Sequence, residues 1–288
     1  MSRMNMPATA KNAVKINPER VDALIRECAA QYIVPRFKKL AQGDINTKSG
    51  PHDLVTIADR ETEEALDRAL TEMFPGSIVI GEEGISAGLK SVETLQETDK
   101  IIWVADPVDG TYNFVHGNPE FAVMLACVVN GETRFGWIYD VPGDRMLYAE
   151  KGAGAFIDGS RLKTAAAKPL SESKGFTGSR YFPKHLRPLI KSFVREFDAL
   201  HTLSCAGHEY IRVASGQYDF SIYNRIRPWD HLAGSLAVQE AGGCVAKWDG
   251  SPYTPQDDGG GLVVASNETL LKALQEKIIN KLVEDYKE

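Results

Sequence analysis

The chain has only four cysteines, Cys28, Cys127, Cys205 and Cys244, and no two of them form a CxxC pair. That spacing argues against the common zinc and dithiol signatures and predicts reduced core thiols in a cytoplasmic protein. Basic tracts are missing as well: 33 basic residues against 39 acidic ones give a net charge of -6, with no Lys/Arg-rich helix face. Binding a nucleic-acid polymer needs a run of cations to displace counterions, so no such partner is expected. Long apolar runs are absent. The longest, Phe121 to Val129, falls far short of the roughly 20 residues that span a bilayer, so no membrane partner is expected. The first twenty residues lack the apolar centre of a signal peptide. There is no GxSxG element, and the six histidines are scattered. His116 and His231 are expected to be structural or to line a rim.

What is present is an ordinary globular composition, 43% hydrophobic and 25% charged over 288 residues, enough for a substantial core. Residues 1–16 are expected to be a flexible extension, 17–168 an α+β half, and 169–288 an α/β half. Asn17-Pro18 is a helix start, with an N-cap and a proline at the first helical position. The helix is expected to run to about Gln42 with a bend at Pro35, followed by a polar loop from Gly43 to Pro51. A second amphipathic helix is predicted over Arg60–Phe74, with Leu66, Ala69, Leu70 and Met73 inward. Strands are predicted at Ser77–Gly81 and Ile101–Ala105, separated by a polar excursion. From Phe121 to Gly159 the turn signals Asn130-Gly131 and Pro142-Gly143-Asp144 predict an antiparallel meander. Beyond it, helices are expected at Pro188–Phe197, His208–Gly216, Asp230–Gly242 and Asn267–Tyr286. Strands are expected at Phe220–Tyr223 and Gly261–Ser266. This mixture predicts an α/β (α+β) protein of layered sheets covered by helices.

Acids recur where apolar segments end: Asp59, Glu82 with Glu83, Asp106 with Asp109, and Asp230. A carboxylate leaving a buried strand is poorly hydrated, and several aimed at one place repel each other. A hard divalent cation reconciles more than two of them. A chain turn at Pro107 would let Asp106, the Val108 carbonyl and Asp109 face one side, an oxygen-only set that favours Mg²⁺ or Mn²⁺ over zinc. Gly110-Thr111 then suits an anion, because N–H groups at a helix start beside cations form a phosphate cradle. On local grounds the same residues also suit an Asx turn with solvated aspartates and an ordinary threonine cap. Gly152-Ala153-Gly154-Ala155 reads as a hairpin turn rather than a dinucleotide loop, and Asp257–Gly261 as a solvated loop.

Taken together these motifs resemble the inositol monophosphatase family. Gly81-Glu82-Glu83 followed by Asp106-Pro107-Val108-Asp109-Gly110-Thr111 resembles the first family signature. Trp229-Asp230-His231-Leu232-Ala233-Gly234, running on to Glu240-Ala241-Gly242-Gly243, resembles the second. The segment from Lys48 to Asp59 looks like the family's metal-proximal loop, and Gly261–Asn267 like its last strand. The resemblance implies an alternating α–β–α–β–α sandwich of the sugar-phosphatase type, a homodimer, and two or three Mg²⁺ ions per site, with Mn²⁺ able to substitute. Glu82, Asp106, the Val108 carbonyl, Asp109 and Asp230 match its metal ligands. Asp59 and Thr111, with Glu82 beside them, match the group that handles the attacking water. Gly110 and Thr111 match its phosphate donors, and Lys48 matches a loop lysine. The implied reaction is in-line attack of water on a small phosphorylated alcohol, and lithium sensitivity is expected.

Substrate choice is less determined. Members that hydrolyse inositol phosphate carry an acid seven positions before the aspartate of the Trp-Asp motif; here that position is Tyr223. Arg225 and Arg227 follow it, and Ala206 belongs to a substrate-side segment. Inositol 1-phosphate leads the expectation, with histidinol phosphate, 3'-phosphoadenosine 5'-phosphate and fructose 1,6-bisphosphate as alternatives. Two other classes stay in view: a catalytically silent metal- and phosphate-binding regulator, and a two-carboxylate glycosidase that needs no metal.

Overall fold

The computed structural model describes residues 16–48, 50, 54–179 and 182–286. Residues 1–15 of the flexible extension expected at 1–16, and the loop positions 49 and 51–53, lie outside the described residues; Ile16 itself is buried in the core with Val21 and Ile25. Helix α1 (Pro18–Cys28) starts where expected: the Asn17 Oδ1 accepts from the N–H groups of Glu19 at 3.0 Å and Arg20 at 3.2 Å. It continues through a wider turn, Ala29–Ile33, and a tighter one, Val34–Arg36. It stops there, short of Gln42, because Pro35 brings no N–H and Lys38 takes a left-handed φ of 61°. Inside the expected polar loop, β1 (Ile45–Thr47) pairs antiparallel with β2 (Leu54–Thr56).

Helix α2 (Ile57–Met73) begins three residues before the expected Arg60 because Thr56 caps it. The Thr56 hydroxyl accepts from the Ala58 N–H at 3.1 Å, and the Thr56 N–H donates to the Asp59 carboxylate at 2.8 Å. Leu66 and Leu70 are fully buried as expected, with Ala65 rather than Ala69 beside them.

Next come β3 (Ile78–Gly81), α3 (Glu82–Ser86), β4 (Ile101–Asp109) and α4 (Thr111–Val115). The meander follows as β5 (Ala122–Val129), β6 (Glu132–Asp140), β7 (Arg145–Glu150), β8 (Gly154–Ile157) and β9 (Ser160–Arg161). β3 to β9 form one sheet in chain order, with β3 parallel to β4 and every later pair antiparallel. The remaining elements are β10 (Lys174–Thr177), α5 (Arg187–Ser192), β11 (Ala199–His201), α6 (Ala206–Ala214), β12 (Phe220–Tyr223), α7 (Pro228–Glu240), β13 (Cys244–Lys247), β14 (Leu262–Ala265), α8 (Glu268–Leu274) and α9 (Asn280–Tyr286). Their sheet runs β11-β10-β12-β14-β13. β10, β11 and β13 escape sequence reading because each has only three or four residues and carries Gly, Lys or His where an apolar alternation would show.

Both faces of the larger sheet are covered, so β5 is apolar on every residue and β4 is apolar from Ile101 to Ala105. On β4, Trp103 and Ala105 pack with Val21, Ile25, Leu66 and Leu70 of α1 and α2. Ile102 and Val104 face the other way, in the cluster that holds Tyr210 of α6 and Leu232 and Leu236 of α7. That cluster also contains Leu262 and Val264, so α6 and α7 form the layer between the two sheets. Phe220, Ile222 and Val263 on the far side of the smaller sheet meet Ile190 of α5 and Leu270 and Leu274 of α8. The layers therefore alternate α–β–α–β–α. Gly136 lets α7 lie directly on β6, since a Cβ there would sit 2.9 Å from the Ala233 backbone.

Asp140, at the end of β6, ties the meander to α6. Its carboxylate accepts from Arg145 at 2.6 Å and the Gly143 N–H at 3.0 Å, and His208 lies 3.5 Å away. Burial alone would raise its pKa, but His208, Arg145 and the Gly143 N–H outweigh that and set it at about 2. A carboxyl held below its unfolded value stabilises the fold above that value, and the benefit is lost as pH falls through the folded one. Wild-type protein should therefore lose about 2 kcal/mol of unfolding free energy between pH 4 and pH 2 at this group. Urea titrations of Asp140→Asn should show that acid limb flattened; an unchanged slope would refute the assignment.

Candidate active site

Asp106 and Asp109 do not sit on a turn. β4 runs straight through Pro107, but Asp106 pairs with Met124 while Asp109 pairs with Ala122, so three steps on β4 match two on β5. In a regular strand, residues three apart point to opposite faces. The extra residue of this bulge brings both carboxylates to one side, at the floor of a cavity of about 330 Å³. β3, parallel to β4, delivers Glu82 at its end, and the first turn of α7 delivers Asp230.

Glu82, Asp106 and Asp230 offer one oxygen each, all within 4.8 Å of one another. Burial pushes the Asp106 and Asp230 carboxyls well above the usual range, and Glu82 and Asp109 push them further. Like charges packed this closely fit a hard divalent cation. Asp109 also lines the cavity but stands outside this triangle. Its Oδ2 accepts from the Gly207 N–H at 2.5 Å and from the Cys205 thiol at 3.1 Å, which tethers it to the start of α6. The Val108 carbonyl accepts from the Thr111 hydroxyl at 2.9 Å and keeps a second lone pair.

Asp59 is buried on the first turn of α2. Its Oδ2 is held by Thr56, and its Oδ1 lies 3.1 Å from the Thr111 hydroxyl. Burial, resisted by the Thr56 hydrogen bonds, raises its pKa to about 6. Gly110 has a left-handed φ of 87°, and a Cβ there would come within 2.8 Å of the Glu120 carbonyl, so glycine is required before α4. Lys48 bridges Glu82 at 2.9 Å and Glu83 at 2.5 Å. Burial opposes its charge, but the two carboxylates prevail and hold its pKa above the ordinary lysine value.

Ala206, Tyr223 and Arg225 line the outer wall of the same cavity, together with Ser204, Asn224 and Arg227. His231 lines the cavity with its ring pinned: its Nε2 meets the Arg225 carbonyl at 3.0 Å, and burial lowers its pKa to about 4. His116 stacks on Tyr112 outside the lining. Gly152 and Gly154 lie at the β7–β8 turn, where their N–H groups donate to Glu240 at 2.8 and 2.9 Å.

Two acids at the site escaped sequence reading. Glu209 on α6 lines the cavity, and burial raises its carboxyl to about 7. Glu63 on α2 accepts from the N–H groups of Glu83 and Gly84. Both lie inside helical stretches, where a lone acid looks like a solvated face. For Glu63 the usable signal was its spacing, one helical turn after Asp59.

The sequence model of the inositol monophosphatase family matches residues 19–286. The inositol-1-monophosphatase of Bacillus subtilis is 31% identical over 259 residues, 89% of this chain and 94% of that protein. The fructose-1,6-bisphosphatase/inositol-1-monophosphatase of Thermotoga maritima is 35% identical over 207 residues, 72% of this chain and 76% of its own length. Among solved structures, an IMPase of Thermotoga maritima superposes with a TM-score of 0.79 at 30% identity, covering 93% of this chain and 99% of that one. Sequence, layered fold and acidic cavity agree, and the chain belongs to the inositol monophosphatase family of phosphatases.

Proposed function

We propose that the chain hydrolyses a small phosphorylated alcohol, with inositol 1-phosphate as first choice, by in-line attack of a water held among Asp59, Thr111 and Glu82. The observation that carries this reading is the buried triangle of Glu82, Asp106 and Asp230 beside the Asp59–Thr111 hydrogen bond. Two or three Mg²⁺ ions, or Mn²⁺ in their place, held by Glu82, Asp106, the Val108 carbonyl, Asp109 and Asp230 would supply an acidified water and charge for the leaving alkoxide. The Thr111 hydroxyl gives its proton to Asp59 or to the Val108 carbonyl, which leaves its lone pairs to accept from the attacking water and fix its direction. In the metal-free protein burial raises Asp59 to about 6, and its Oδ1, 3.1 Å from the Thr111 hydroxyl, is the group placed to accept a proton from the attacking water. The N–H groups of Gly110 and Thr111 receive the phosphate. Lys48 holds the loop to Glu82. The same reading extends to a cytoplasmic homodimer and to inhibition by lithium; among the described residues no helix is long and apolar enough to cross a membrane.

A second reading of the substrate is favoured by Arg225 and Arg227 in the cavity wall, where Tyr223 stands in place of an acid. Two guanidinium groups suit a substrate with another anionic group, as the double name of the Thermotoga relative suggests. Phosphate release should be followed from inositol 1-phosphate, histidinol phosphate, fructose 1,6-bisphosphate and 3'-phosphoadenosine 5'-phosphate, with Mg²⁺ and with excess chelator. One substrate should lead by kcat/KM and fall silent with chelator. If it is a bisphosphate, Arg225→Ala/Arg227→Ala should raise its KM by roughly 10- to 100-fold, the weight of a charged hydrogen bond. Turnover that survives chelation would sink the metal reading. Mg²⁺ binding without release from any substrate would favour a silent regulator.

A further inference from the structure

Gly81-Glu82-Glu83-Gly84 wraps around a carboxylate from another element. The Glu63 side chain, buried beneath it, accepts from the Glu83 N–H at 2.8 Å through Oε2 and from the Gly84 N–H at 2.7 Å through Oε1. Both flanking glycines make room for it. A Cβ on Gly81 would fall 2.2 Å from the Glu63 carboxyl carbon, and one on Gly84 would come 3.0 Å from Oε1. Gly81 has no left-handed φ, so the space taken by Glu63, not backbone conformation, is what requires glycine there.

Glu63 also stands four residues after Asp59, on the same face of α2. One helix face therefore carries the acid bonded to Thr111 and the bracket that holds the segment bearing Glu82. Placing another carboxylate beside Glu82 is electrostatically unfavourable. Lys48, bridging Glu82 and Glu83, offsets it. Each N–H meets its own oxygen of Glu63, and an amide at this position would turn an NH₂ donor toward one of the two N–H groups.

We propose that Glu63 is a positioning residue: by clamping the Glu83 and Gly84 N–H groups, it fixes the Glu82 carboxylate against Asp106 and Asp230 for divalent-cation binding. This rests on the metal reading given above but not on the identity of the phosphorylated substrate. Groups that orient metal ligands typically weaken affinity by 10–100-fold when altered.

The test is calorimetric titration of the full chain with MgCl₂, in parallel with thermal melting of the metal-free protein. Glu63→Gln should bind Mg²⁺ roughly 10–100-fold more weakly while melting within a few degrees of wild type. Gly81→Ala should reproduce the weakening with the Glu63 carboxylate still present, because its methyl displaces the clamp. Exposed Glu64→Gln, on the same helix, should change neither quantity. If Glu63→Ala fails to fold, Glu63→Gln and Gly81→Ala still decide. Wild-type Mg²⁺ affinity in both, with only the melting temperature lowered, would show Glu63 to be ordinary structure and overturn the inference. A wild-type chain that binds no Mg²⁺ would overturn it too. One that binds Mg²⁺ but releases no phosphate sinks only the hydrolase reading, and the Mg²⁺ affinities of the variants still decide the role of Glu63.

Discussion

Asp106→Asn is expected to lower kcat/KM by more than the roughly 10–100-fold typical of groups that merely orient metal ligands, while raising the melting temperature of the metal-free protein. The two effects have one cause. Asp106 is 2% exposed and shares the triangle with Glu82 and Asp230, so in the proposed metal site its charge would serve cation binding and would work against folding when no cation is bound. Two like charges about 4 Å apart repel by about 4 kcal/mol at an effective dielectric of 20, an upper figure for what the amide relieves. The amide changes the volume little, and its oxygen can still accept the Val108 N–H that now bonds to Oδ1 at 3.0 Å. Melting curves at pH 8 with chelator should therefore shift upward by several degrees, given roughly 2–4 °C per kcal/mol for chains of this general size. Phosphate release at saturating Mg²⁺ should be nearly abolished. A variant that turns over normally, or that loses activity only because it melts lower, would show that Asp106 is not a metal ligand.

The legible part of the site was the part carried by short motifs. Asp106, Asp109 and Asp230 could be read because acids at the ends of apolar segments are unusual, and Gly110-Thr111 because glycine and threonine after paired acids suggest an anion. The device that brings Asp106 and Asp109 together was not legible: a turn at Pro107 and a bulge in a continuous strand leave the same letters in the sequence. Asn17 and Asn267 marked helix starts correctly, since an N-cap depends on its own few neighbours; the Asn267 Oδ1 accepts the Leu270 N–H at 3.0 Å. The end of the first helix depended on backbone angles at Lys38, which no residue type announces. Glu63 and Glu209 were hidden because burial of an acid is a property of the assembled layers. The strands β10, β11 and β13 draw their stability from neighbours in the sheet rather than from an alternation of their own.

Mg²⁺ should stabilise the protein, and by more at pH 8 than at pH 5. Without a cation, Asp59 titrates at about 6, raised first by burial, and Asp106, Asp109 and Asp230 are also shifted upward from 3.8. Between the unfolded and folded values the native chain holds protons that the unfolded chain has released. Its stability therefore falls as pH rises from about 4 through the folded values. A cation reverses this, since it needs the ionised carboxylates; at pH 5 it must first displace their protons, and at pH 8 fewer stand in its way. At 100 times its dissociation constant a ligand adds about 2.7 kcal/mol, or roughly 5–10 °C in this chain at pH 8. Melting curves across pH 5–8, with and without MgCl₂, should diverge toward the alkaline end, and Asp230→Asn should narrow the gap. Curves that coincide at pH 8, or a gap that widens on acidification, would mean that these carboxylates answer to something other than a divalent cation. Lys48 sets the scale of the comparison. Its ammonium already neutralises part of Glu82 and Glu83, so the pH-dependent gain should come chiefly from Asp106, Asp109 and Asp230, the acids it does not bridge.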